Sequence, residues 1–207
     1  MMRAYSPIEI ERLEIPELPL VGEWEKAFGR PSLYERWFIE GESASGKSTF
    51  VMMLARMLCD HGSVVYLPLE ERVNLSFKRR IKRLNMREVN GRFKVVVGES
   101  FDQIVERIAQ PRSPQFWIFD SVQYMGVRFS RIKEQLLDRF PRKSFIFVSQ
   151  SWKGEPKGRT ANDLKFDAGV KIQTAGFRAY CSGRYIDDVA AYFTIWPEGA
   201  ARYYLNE

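Results

Sequence analysis

The chain holds two cysteines, Cys59 and Cys181, far apart and outside any C-x-x-C pair. That scarcity excludes a disulfide framework and a cysteine zinc site, and it points to a reduced, cytoplasmic compartment. The single histidine, His61, falls at the end of a predicted helix and is assigned no catalytic role. No apolar run approaches the ~20 residues that span a bilayer. Met1 to Glu11 lacks the apolar core of a signal peptide, so a soluble protein with no membrane partner is expected. Internal repeats and low-complexity tracts are absent as well. What remains is 207 residues, 45% hydrophobic and 28% charged, an ordinary balance for one globular domain. A chain of this length buries roughly 70% of its unfolded surface. The formal net charge of +6 favours an anionic partner such as a nucleic acid. A basic protein without a polyanion partner is the plain alternative.

Residues 1–30 mix Pro, Glu and aromatics without clear periodicity and read as an N-terminal arm, with a short helix near Glu23 to Phe28. Residues 31–207 read as the domain proper. Short, continuously apolar segments then alternate with helical ones. Predicted strands are Trp37 to Glu40, Ser63 to Leu69, Phe93 to Val97, Phe116 to Phe119 and Ser144 to Ser149. Predicted helices are Lys47 to Asp60, Asn74 to Arg87, Phe101 to Ala109 and Arg131 to Phe140. This alternation predicts an α/β fold, a parallel sheet covered by helices on both faces. Ser151 to Asp167 is polar and reads as a long loop of the kind that often carries function. Four further strands are expected: Val170 to Gln173, Phe177 to Cys181, Val189 to Trp196 and Ala201 to Leu205. A Pro197-Glu198-Gly199 turn would join the last two as an antiparallel hairpin.

Gly41-Glu42-Ser43-Ala44-Ser45-Gly46-Lys47-Ser48-Thr49 matches G-x-x-x-x-G-K-[ST] in full, between a predicted strand and a predicted helix. The two glycines permit backbone angles that other residues resist. Backbone N–H groups and the positive end of the helix then converge on an anion. The motif predicts a site for ATP, or a closely related nucleoside triphosphate, with magnesium. Lys47 would neutralise the β- and γ-phosphates, and the Ser48 hydroxyl would bind Mg²⁺. Asp120 ends the apolar run Gln115 to Phe119, a position suited to hold the metal through water. The residue after it is Ser121 and not Glu, so the water-positioning carboxylate must come from elsewhere. Glu70 is preferred, with Glu71 in reserve, both following the second strand. Gln150 ends the fifth strand, where an amide would sense the γ-phosphate and relay its loss. A strand-end Gln in a simple turn is the alternative.

Together these residues resemble the RecA-like ATPases, in particular the bacterial RadA repair proteins and the DnaB-type helicases. Gly41 to Thr49 resembles their phosphate loop, and Leu69-Glu70-Glu71 the Glu-bearing end of their second strand. Asp120-Ser121-Val122-Gln123 is similar to the D-S-I-Q of RadA, and Ser149-Gln150 to the S-Q of the helicases. Asn162-Asp163-Leu164 with Asp167-Ala168 loosely resembles the helicase D-L and D-A-D segments. The resemblance covers residues 20 to 207. It implies a central parallel sheet extended by C-terminal antiparallel strands, ATPase activity, and assembly into a homo-oligomer. Where RadA has K-N-R-F-G, this chain has Ser182-Gly183-Arg184-Tyr185, which leaves Arg184 as a trans-acting finger. No zinc-binding or primase-interacting domain is expected beside the core.

In such proteins the loops after the fourth and fifth strands face DNA. Here they carry Arg128 and Arg131, then Trp152, Lys153, Lys157, Arg159 and Lys165. Basic residues beside an aromatic suit a single-stranded DNA groove. The basic stretch Phe77 to Arg87 reads as a solvated helix face. The expected activity is ATP hydrolysis coupled to DNA binding or remodelling. An ATP-gated switch acting on a protein partner is the alternative, and a small-molecule kinase a third reading disfavoured by the strand-rich C-terminus.

Overall fold

In the computed structural model, residues 4–186 and 191–205 are described. The sheet follows from its apolar segments. Strand β1 spans Arg36–Gly41, β2 Val64–Pro68, β3 Phe93–Val95, β4 Phe116–Asp120 and β5 Ser144–Trp152. Strands β6 (Glu155–Pro156), β7 (Val170–Ala175), β8 (Arg178–Cys181) and β9 (Tyr192–Thr194) follow. Their order is β3-β2-β4-β5-β1-β7-β8-β9, with β6 hydrogen-bonded to β5. From β3 to β7 the strands run parallel, while β8 and β9 extend the sheet antiparallel.

Alternate residues of each central strand feed two cores. Trp37, Ile39, Tyr66, Phe116, Ile118, Ile146 and Val148 enter one. Phe38, Leu67, Trp117, Phe119, Phe145 and Phe147 enter the other. Burial on both faces is why these strands read as unbroken apolar runs.

Helices α1 (Pro7–Glu11), α2 (Glu23–Phe28), α3 (Lys47–Leu58) and α4 (Leu75–Arg83) come from the first part of the chain. Helices α5 (Phe101–Ala109), α6 (Phe129–Ile132), α7 (Arg159–Asp167) and α8 (Pro197–Tyr204) complete the set. Asn74 caps α4 by accepting from the Phe77 N–H at 2.9 Å. A wider-wound turn, Lys133–Leu137, continues α6. The arm divides in two. Residues 4–17 are all exposed. Leu18, Leu20, Ala27 and Phe28 are fully buried, and Trp24 stacks on Phe193 at 4.2 Å.

Three expectations are corrected. Ala201 to Leu205 is not a strand, and Pro197-Glu198-Gly199 is not a hairpin turn: α8 begins at Pro197. Proline fits the first helical turn, where its missing N–H costs no hydrogen bond. Ser151 to Asp167 is not one loop, because β5 runs on to Trp152, pairs with β6, and α7 follows. That helix buries only Ala161 and Leu164, so its sequence is mostly polar. Phe177 lies in the turn before β8 and not in the strand. Of the expected strand Val189 to Trp196, residues 189–190 lie outside the described residues; β9 accounts for Tyr192–Thr194.

Candidate functional site: a phosphate loop at the strand ends

The Gly41–Thr49 segment leaves the C-terminal end of β1 and enters α3. In parallel α/β sheets, ligands bind beyond this end of the strands. Gly41 admits no side chain, because an added Cβ would stand 2.0 Å from Thr174 Oγ1 and 2.7 Å from its carbonyl oxygen. Gly46 caps α3 at φ +95°, a conformation favouring glycine. The Ser45 hydroxyl hydrogen-bonds Thr174 at 2.7 Å, and Thr49 accepts from Arg83 at 2.9 Å. Both contacts brace the loop from outside.

The loop walls a cavity of about 640 Å³. Gly41, Glu42, Ser43, Ala44, Gly46, Lys47, Ser48 and Thr49 line it, while Ser45 turns toward β7. Glu70, Asp120 and Gln150 line the same cavity, so parallel pairing of β2, β4 and β5 gathers residues distant in sequence.

Glu70 is held from two sides. Ser121 Oγ donates to one carboxylate oxygen at 2.9 Å and Gln150 Nε2 to the other at 2.7 Å. The serine that takes the place of a following Glu therefore steers the glutamate of the neighbouring strand. Glu71 lines the same cavity but is paired with Arg80. It takes two hydrogen bonds from Arg80, at 2.5 and 3.3 Å. The two glutamates thus differ in their partners: Glu70 is bound to Ser121 and Gln150, Glu71 to Arg80.

Asp120 is nearly buried and accepts a hydrogen bond from the fully buried Tyr66 hydroxyl. Burial raises its carboxyl above the usual carboxylate range, opposed by the Tyr66 hydrogen bond and by Lys47. Burial beside Asp120 also pushes the Tyr66 hydroxyl far above its ordinary value, so it stays a donor. The donor set fits magnesium: one hydroxyl and one carboxylate, hard oxygens at one cavity wall. Among the described residues there is no cluster of three His, Cys, Asp or Glu side chains to cage a metal. Magnesium at nucleotide sites needs no such cage, since phosphates and water supply most ligands.

Gln150 also connects outward. Its N–H donates to Gln123 Oε1 at 3.3 Å. Gln123 Nε2 in turn donates to Ser149 Oγ and to the Lys157 carbonyl, both at 2.8 Å. Gln123 was recognisable in the sequence only as part of the D-S-x-Q run. Tyr66, Arg80 and Phe177, which also lines the cavity, carried no readable signal: a Tyr in an apolar run, an Arg in a basic helix, a Phe at a strand start.

The expected nucleic-acid residues divide. Arg128, Trp152, Lys153, Lys157 and Arg159 are exposed. Arg128, Lys157 and Arg159 border one cleft of about 480 Å³ beside Gln123. Arg131 is instead ion-paired with Asp102, and Lys165 lies on α7, 2.6 Å from the buried Glu40. Both are thus paired with carboxylates within the chain. The Arg184 N–H donates to the Gly169 carbonyl, at the start of β7. Arg184 therefore sits at the end of the strands opposite the phosphate loop and does not meet that loop in its own chain.

No family model and no curated protein matches this chain. Solved structures do. The flagellar accessory protein FlaH from Methanocaldococcus jannaschii superposes with a TM-score of 0.59 at 19% identity, covering 82% of this chain and 88% of FlaH. A KaiC-like protein from Pyrococcus horikoshii OT3 superposes at 0.60 and 15% identity, covering 86% and 92%. The fold is RecA-like. At these identities the likeness speaks for the fold alone and does not single out a RadA or DnaB-type branch.

Proposed function

We propose that this chain binds Mg–ATP at Gly41–Thr49 and hydrolyses it, and that hydrolysis is coupled to single-stranded DNA. The observation that carries the first half is Glu70, a carboxylate fixed by Ser121 and Gln150 on the wall of the cavity that Lys47, Ser48 and Asp120 also line. In this reading Lys47 and the loop N–H groups hold the β- and γ-phosphates. The Ser48 hydroxyl and Asp120 hold magnesium, which when bound offsets the charge developing on the transferred phosphate. Tyr66 fixes the orientation of the Asp120 carboxylate. Each Glu70 oxygen keeps a free lone pair, so the side chain can orient and deprotonate the attacking water. Residues 31–207 form the ATPase domain in this reading, with Leu18, Leu20, Ala27 and Phe28 of the preceding segment packed into its core.

Coupling runs through Gln150. Its side chain touches Glu70 and its N–H touches Gln123, which is bound to the Lys157 carbonyl. A shift at the γ-phosphate is thereby passed to the segment bearing Trp152, Lys153, Lys157 and Arg159. We take the working form to be a cytoplasmic homo-oligomer in which Arg184 is offered to a neighbouring copy. The alternative is an ATP-gated switch on a protein partner. It is favoured by the exposed Ile8, Ile10, Leu13 and Ile15 of the arm.

Anisotropy of labelled single-stranded DNA, with and without Mg–ATP, separates the two. Four phosphate contacts, from Arg128, Lys153, Lys157 and Arg159, give a log–log salt slope of about −3. Affinity should then fall about 50-fold between 50 and 200 mM salt. Absence of salt-sensitive DNA binding in both nucleotide states would contradict the DNA half and leave the switch.

A further inference from the structure

Phe177 occupies a turn that its residue type resists. Gly176-Phe177 joins β7 to β8, and the two residues have φ of +50° and +59°. Two-residue hairpin turns of this kind favour Asn-Gly or Gly-Gly, because a bulky side chain strains at positive φ. A residue held there against its preference is over-determined by its surroundings, and such residues cluster at ligand sites. The Phe177 N–H donates to the Ser45 carbonyl at 3.3 Å, and its own carbonyl accepts from the Ile195 N–H at 2.9 Å. Its ring packs edge-to-face on Trp196, with centroids 5.0 Å apart at 80°. It also abuts the phosphate loop: a Cβ added to Gly46 would lie 3.3 Å from Phe177 Cδ1.

Phe177 is the one aromatic side chain among the described residues that line the 640 Å³ cavity. The rest of the wall is small, polar or charged. A triphosphate seated on the loop uses that polar wall. The nucleoside at its far end then meets a single flat apolar surface. We infer that Phe177, backed by Trp196, is the stacking shelf for the nucleobase, and that the site selects purine nucleoside triphosphates over pyrimidine ones and over bare polyphosphate. The inference rests on the phosphate-loop reading above. Adenine and guanine present the same bicyclic face, so stacking treats them alike, whereas a pyrimidine covers less of the ring.

Calorimetric titration of wild type, Phe177→Leu and Phe177→Tyr with the magnesium complexes of ATP, GTP, CTP and tripolyphosphate tests it. Leucine keeps the bulk and removes the π face. Wild type is expected to bind ATP and GTP more tightly than CTP or tripolyphosphate. Phe177→Leu is expected to lose about 5- to 160-fold for ATP and GTP, the range for one stacked base, with tripolyphosphate unchanged. Phe177→Tyr keeps the purine excess. Wild-type ATP affinity in Phe177→Leu would overturn the shelf and leave the phosphate loop standing. No wild-type affinity for either ATP or tripolyphosphate would overturn both. Should Phe177→Leu fail to fold, tryptophan emission of the wild type decides. Trp196 is 44% exposed, so a change with ATP that tripolyphosphate does not produce, and that Trp196→Phe abolishes, is expected. An equal response to both ligands would overturn the shelf.

Discussion

Replacing Glu70 with glutamine isolates the charge that the proposed mechanism uses. The side chain keeps its length. Its amide oxygen can accept from Gln150 Nε2, now at 2.7 Å from a carboxylate oxygen, while the amide NH₂ turns to Ser121 Oγ, now at 2.9 Å. The serine hydroxyl can rotate to accept, so both contacts survive and the cavity keeps its shape. Only the ability to take a proton from water is lost. A positioned general base contributes about 10²- to 10⁴-fold, or about 3–5 kcal/mol of barrier. Steady-state phosphate release at saturating Mg–ATP should fall by that factor, while ATP affinity measured by calorimetry stays within about threefold. A variant that hydrolyses at the wild-type rate would refute the assignment. Glu71 would not inherit the role without breaking its pair with Arg80.

Further outcomes follow from the same contacts. Tyr66→Phe removes the donor to the buried Asp120, at an expected stability cost of about 1.5–3 kcal/mol in thermal or urea unfolding. Asp120 already sits above the usual carboxylate range, and Tyr66 is among the influences holding it down. Losing that hydrogen bond raises the carboxyl further, so the acid limb of the pH–hydrolysis profile should move to higher pH; an unmoved limb would contradict the metal role of Asp120. Both thiols are buried, and burial holds Cys59 up to about 11, so about one molecule in a thousand carries its thiolate at pH 8. Neither cysteine should react with a thiol reagent in the native state, and both should react in denaturant. Lys165→Met leaves Glu40 buried with Ser151, at 3.3 Å, as its one side-chain partner among the described residues, and should destabilise by about 3 kcal/mol in urea unfolding.

Much of this was legible before the structure, for physical reasons. Strands buried on both faces must be apolar throughout, which exposes β1, β2, β4 and β5 in the sequence. The phosphate loop is legible because its glycines are demanded by geometry at fixed spacing. The C-terminus misled because Ala201 to Leu205 is short and carries two tyrosines, which favour strands, while the decisive signal was Pro197 opening a helix. Helix α7 was hidden by its polarity. At the site, Glu70, Asp120 and Gln150 sit at strand ends, where position in sequence is position in space. Tyr66 and Phe177 reach the site through contacts across strands or across a turn. No spacing within one segment encodes those contacts.

The central claim is that the Gly41–Thr49 loop binds and hydrolyses Mg–ATP. Mg–ATP-dependent phosphate release by the wild type, set against Lys47→Ala of equal thermal stability, tests it most directly. Removing one preorganised donor to the developing charge predicts a fall of about 10²- to 10³-fold. No phosphate release by the wild type, or equal release by both proteins, would contradict it.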